Sequence, residues 1–197
     1  MTHTPDLTAA AARVATLLRG VSDDQLDGPT PCPAYTVGDL VDHIGGLALA
    51  FTWAATKEFP PEAGQPPSGE AARLPDEWRD TFADRLSAMG EAWQDPDAWD
   101  GMTQAGGVDL PGQAAGCVAM DELVVHGWDL AVATGQPYDA DAASIEVALG
   151  FVGPFSKPEA AQQREGVFGP VVPVPDGAPA LDRLIGLAGR DPSWSPA

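Results

Sequence analysis

The sequence predicts an all-α protein, a helical bundle with long connections and extra short helices toward its C-terminus. Three observations predict it. Apolar residues recur at three- and four-residue steps in successive segments, the signature of one helix face. These segments begin at capping residues and end at glycine or proline. No internal repeat or low-complexity tract interrupts them.

Leu7, Ala10, Val14, Leu17 and Val21 mark a first helix, which Gly20 and Ser22-Asp23-Asp24 bring to an end. The run Gly28-Pro29-Thr30-Pro31-Cys32-Pro33 excludes helix and predicts an ordered connection. A second helix opens at Thr36, where Thr36-x-x-Asp39 resembles a capping box with Asp in place of the usual Glu. It runs to about Thr56, with Leu40, His43, Leu47, Ala50 and Ala54 on one face. Residues 60–69, rich in proline and glycine, read as a mobile loop. The third helix carries the stripe Leu74, Trp78, Phe82, Leu86, Met89 and Trp93, with Pro75 in its first turn. Residues 95–112 read as an irregular crossover with short extended pieces around Gly106-Gly107. A fourth helix spans about Gln113 to Thr134 and ends at Gly135, a left-handed cap. It is apolar on more than one face and should be central. A further helix covers Ala142 to Phe155, an extended proline-rich stretch covers Gly169 to Pro175, and a terminal helix covers about Ala180 to Ala188.

At 197 residues the chain reads as a single domain over 1–197. Its 10 basic and 29 acidic residues give a formal charge of −19, which opposes binding to nucleic acid or to an anionic membrane surface. Residues 1–6 lack the basic and apolar regions of a signal peptide, and no apolar run reaches the length of a membrane span. A cytoplasmic location is expected, with the two cysteines reduced.

Glu122 and His126 lie four residues apart on the fourth helix and are therefore spatial neighbours. The inward stripe they belong to contains Val118, Ala119, Val125, Asp129 and Leu130. An ionised glutamate there needs a partner or a cation. His43, on the second helix, offers another imidazole. Two nitrogens and a carboxylate with an open position form a recurring design for a catalytic divalent metal. The pattern leaves a metal-free Glu–His hydrogen-bonded pair open as well. Asp39 is a candidate acceptor for an imidazole N–H, although a helix cap is its simpler role. Asp129, three residues beyond His126, is a second such candidate. Helical phase turns Cys117 away from the ligand face, and Cys32 fits a small side chain in a rigid Pro-Cys-Pro turn. Neither a Gly-x-Ser-x-Gly elbow, a phosphate-binding loop nor a His-Glu-x-x-His motif is present.

Thr30-Pro31-Cys32-Pro33-Ala34-Tyr35-Thr36-Val37-x-Asp39-Leu40-x-x-His43, together with Glu122-x-x-x-His126-Gly127-Trp128-Asp129-Leu130-Ala131-x-Ala133-Thr134-Gly135, resembles the mycothiol-dependent maleylpyruvate isomerase N-terminal family of the DinB-like superfamily. The likeness is greatest to its short, single-domain metal-binding members and extends into the Phe168-Gly169-Pro170 to Asp191-Pro192 tail. It implies a DinB-like four-helix bundle with a divalent metal, commonly zinc, held by His43, Glu122 and His126. Nickel and iron also suit two nitrogens and a carboxylate. The resemblance further implies mycothiol as cofactor, a small thiol and a small electrophile as partners, and a homodimer. Tyr35 stands where tryptophan is frequent in the family, and the isomerase's separate C-terminal domain is not expected here. The resulting expectation is a metal- and mycothiol-dependent transferase or isomerase. A metal-dependent hydrolase and a non-catalytic metal- or small-molecule-binding bundle are the alternatives.

Overall fold

A computed structural model of the protein describes residues 4–196. His3 and the start of the N-terminal stretch 1–6 lie outside them. Four long helices form the core: α1 (Thr8–Gly20), α2 (Val37–Thr56), α3 (Trp78–Ala92) and α5 (Gly112–Thr134). Around the ring α1 packs on α3 and α5, and α2 packs on the same two, so α1 and α2 stand diagonally. The connection between them therefore crosses one end of the bundle.

Each boundary has a local cause. Thr36 and Asp39 make the expected reciprocal capping box at the start of α2. Gly135 ends α5 with φ 70°, a conformation that glycine adopts without steric penalty. Of the four long helices, α5 is apolar on the most sides, and Leu130, Ala131 and Val124 on it are completely buried. α3 starts at Trp78, later than expected, because residues 75–77 form a turn in which the Trp78 amide donates to the Pro75 carbonyl. Pro75 thus precedes the helix, and Leu74 reaches the core from outside it.

Between α3 and α5 lie a single turn of helix, α4 (Pro96–Trp99), and a hairpin, β1 (Met102–Ala105) with β2 (Val108–Pro111). The strands pair antiparallel with Ala105 opposite Val108. Gly106 and Gly107 form the turn with φ 55° and 80°, the left-handed geometry a two-residue hairpin loop requires. Thr103 Oγ1 donates to the Ala54 carbonyl at 2.6 Å, which seats the hairpin on α2. The Trp93 and Trp99 rings meet edge to face, 4.9 Å between centroids, and both indole N–H groups donate to carbonyls.

Residues 60–69, expected to be mobile, are docked instead. They form a 3-10 turn over Pro61–Gly64 and then run along α2, where Pro67 sits over Gly46. Only glycine at 46 allows that approach, since a Cβ there would lie 2.8 Å from the Pro67 Cβ. After α5, α6 (Ala142–Phe155) packs on its outer side, a short α7 (Ala161–Arg164) follows, and α8 (Ala180–Leu187) packs on α6. Gly189, with φ 86°, turns the chain back toward α5. Among the described residues no helix is long and apolar enough to cross a membrane.

Candidate metal centre

His43 on α2 and Glu122 and His126 on α5 converge because α2 and α5 are ring neighbours. Each offers one ligand atom, and the three atoms lie within 4.8 Å of one another. Glu122 Oε2 is 3.1 Å from His126 Nε2 and 3.9 Å from His43 Nε2. The two imidazole rings stand perpendicular, 5.1 Å between centroids. Both histidines are largely buried, while Glu122 is half-buried and is the most exposed of the three.

The opposite ring nitrogens are both occupied. His43 Nδ1 lies 2.9 Å from the Pro67 carbonyl, and His126 Nδ1 lies 3.0 Å from Asp129 Oδ2. A carbonyl only accepts, so His43 donates from Nδ1 and keeps its Nε2 lone pair for the cluster. This is the arrangement that orients histidines around metal ions. The donor set therefore fits a divalent ion held by His43, Glu122 and His126.

The electrostatics divide the two rings. Burial, reinforced by the charge on His126, pulls the His43 pKa down to about 4 against the attraction of Glu122. Burial also opposes charge on His126, but its hydrogen bonds to Asp129 and Glu122 prevail and push the pKa up to about 10. Glu122 meets the same penalty, and the His126 hydrogen bond with both imidazoles holds its carboxyl below the ordinary range. Without an ion, His126 is thus a cation bridging two carboxylates.

Asp129, proposed from spacing as an imidazole acceptor, does lie against His126 and is completely buried. Asp39 does not serve His43. Its Oδ2 accepts from the Thr36 amide and hydroxyl in the capping box, and its Oδ1 accepts from the Ala71 amide of the loop before α3, so both oxygens are already engaged. Cys117 stands apart from the cluster, lining a groove of about 1050 Å³ between α5 and α6 with Met120 and Phe151. Cys32 is half-buried, and its carbonyl accepts from the Thr30 hydroxyl in the turn before α2.

Four nearby groups were not singled out as parts of the site. The Pro67 carbonyl is backbone and carries no side-chain signal. Tyr35 packs its ring on His43 with centroids 5.1 Å apart. Arg190 pairs with Asp129 at 3.0 Å, and that carboxylate, overcoming the effect of burial, raises the pKa of the guanidinium. Asp121 is buried with Oδ1 unpartnered, and burial lifts its carboxyl well above the usual range. Of these, Asp121 stood beside Glu122 in the sequence and a helical projection could have flagged it.

A ring of four helices in which two neighbours bring together two imidazoles and a carboxylate defines an all-α bundle with a potential metal site. The model of the mycothiol maleylpyruvate isomerase N-terminal domain matches residues 7–131. The chain belongs to that family. It is 31% identical over 182 residues to an uncharacterized protein of Mycobacterium tuberculosis, found in strains H37Rv and CDC 1551, covering 89% of this chain and 91% of the relative. A crystal structure of the mycothiol-dependent maleylpyruvate isomerase superposes with a TM-score of 0.53 at 17% identity, which establishes likeness of fold. That superposition covers 74% of this chain and 66% of the isomerase chain.

Proposed function

We propose that the protein binds a divalent metal, zinc in the first instance, through His43, Glu122 and His126, and uses a low-molecular-weight thiol such as mycothiol in a transferase or isomerase reaction. The observation that carries this reading is the occupation of both Nδ1 atoms, which leaves both Nε2 atoms directed at Glu122 Oε2. Nickel and iron suit the same donors. A divalent ion held there supplies Lewis acidity, which favours thiolate over thiol at neutral pH. The chain's own part is to present the two imidazole nitrogens, to balance charge with Glu122, and to admit ligands past that half-buried carboxylate. Tyr35 walls the His43 side of the cluster. A thiolate at this opening suits addition to an electrophilic double bond or displacement of a leaving group. The family supports mycothiol as the thiol. A homodimer belongs to the same reading and is checked by the mass in solution.

A metal-free, non-catalytic bundle is favoured by one observation: His126 between Glu122 and Asp129 already forms a satisfied buried charge network. Metal analysis and calorimetry separate the two. The metal reading expects about one equivalent of zinc in the purified protein, lost in the His43→Ala/His126→Ala variant, and heat on adding mycothiol to the loaded protein. Full occupancy in the double variant overturns the ligand set, and absence of binding by any thiol overturns thiol use.

A further inference from the structure

His126 is oriented by a chain of contacts that ends in the C-terminal segment. Asp129 Oδ2 lies 3.0 Å from His126 Nδ1 and 3.0 Å from Arg190 Nη2. Arg190 Nε lies 3.3 Å from each Asp129 oxygen, and Nη1 donates to the Ala188 carbonyl at 2.8 Å. The carboxylate has 0% exposure and Arg190 only 9%. An ionised carboxylate so placed is unfavourable without a fixed counter-charge. Among the described residues, Arg190 is the only arginine or lysine paired with it.

The inventory of donors and acceptors leaves one arrangement. A guanidinium only donates and a carboxylate only accepts, so the hydrogen between His126 and Asp129 sits on Nδ1. Arg190 directs Nη2 and Nε together at Oδ2, the oxygen that faces His126, and Nε also reaches Oδ1; this forked contact fixes the plane of the carboxylate as well as its charge. The direction of the His126 bond follows from that plane. A ring held this way does not flip, and Nε2 stays on the side of Glu122.

We infer that Arg190 is a positioning residue of the metal centre: from a segment outside residues 7–131, it locks Asp129 as the acceptor of His126 Nδ1–H and so aims Nε2 at the ion. The effect on the ion rests on the metal reading above; the Arg190–Asp129–His126 relay does not. The C-terminal segment is then part of the site, joined to it through the turn at Gly189.

Two variants test this. Arg190→Met alone leaves a buried carboxylate unpaired and can unfold the chain, so it is accompanied by Asp129→Asn/Arg190→Met, which removes both charges and leaves opposite His126 an amide that no guanidinium holds in place and that is free to rotate its oxygen away. Circular dichroism checks the fold, imidazole 1H–15N spectra report the Nδ1 hydrogen, and competition with a chelator gives the Zn²⁺ affinity. The wild type should show a downfield, slowly exchanging Nδ1–H signal that is lost in the folded variants. Zn²⁺ affinity should fall about 10- to 100-fold, with Arg190→Lys, which keeps the charge but not the fork, in between. A folded double variant with the signal intact and wild-type affinity overturns the inference. If the wild type binds no Zn²⁺, the metal reading fails by itself. The Nδ1–H signal then decides: its loss in the folded double variant supports the relay, and its retention overturns it.

Discussion

The two imidazoles of the cluster are the same side chain held in opposite ways. His43 donates to a neutral backbone carbonyl on a docked loop, whereas His126 donates to a buried carboxylate backed by an arginine. Burial is common to both, so the neighbouring charges decide. With a carbonyl partner the ring is pulled down to about 4 and stays neutral at physiological pH. With two carboxylate partners the ring rises to about 10 and is charged. The contrast shows that the Nδ1 partners set orientation while the charges around each ring, Glu122 on the Nε2 side included, set protonation, and that a metal ion would displace a proton from only one of the rings.

The largest expected effect strikes the His126 side. Asp129→Ala removes the acceptor and strands Arg190 in the interior, which should lower stability by about 3–5 kcal/mol in urea denaturation. A loss below about 1 kcal/mol would mean that the relay is not the stronger anchor. The next effect is in pH, measured on metal-free protein. His126 is raised from 6.5 to about 10, so its contribution is complete below pH 6.5 and vanishes as pH climbs through 10. His43 is lowered from 6.5 to about 4, so its contribution is present above pH 6.5 and vanishes as pH falls through 4. Each limb has a limiting slope of about 1.4 kcal/mol per pH unit. His126→Asn should flatten the alkaline limb and His43→Asn the acidic one; identical profiles for the two variants would erase the distinction. The smallest effect belongs to Gly46→Ala. Its Cβ would press on Pro67, while alanine gains up to about 1 kcal/mol of helix propensity. Thermal melts should therefore change little, yet Zn²⁺ affinity should drop a few-fold as the carbonyl shifts from His43. Unchanged affinity would show that the loop does not position that ring.

The same division governs what the sequence makes legible. His43 lies on the periodic face of α2, and Glu122 and His126 are brought together by the four-residue spacing that the α5 backbone enforces, although α5 is apolar on several sides. The capping box at Thr36 and the cap at Gly135 are equally local, since each uses residues within one turn. Asp39 illustrates the limit of local spacing: it is placed one turn before His43, but the helix start takes one of its oxygens and the distant Ala71 amide takes the other. The His43 acceptor is a backbone carbonyl in a loop that composition marks only as irregular. Arg190 lies in the tail, and its partner Asp129 is on α5; no periodicity links positions that only the folded chain brings together. Pro75 misled the start of α3 because proline suits a turn before a helix as readily as its first turn.

The diagonal placement of α1 and α2 has a consequence for the integrity of the site. Helices α2 and α5 become neighbours only after α3, α4 and the hairpin have been traversed, so the cluster closes a long loop whose entropic penalty grows with the intervening chain. No peptide containing α2 alone or α5 alone carries all three candidate ligands, and one ending with α5 still lacks Arg190. The cluster is indivisible, and its assembly reports on the completed chain rather than on any single helix.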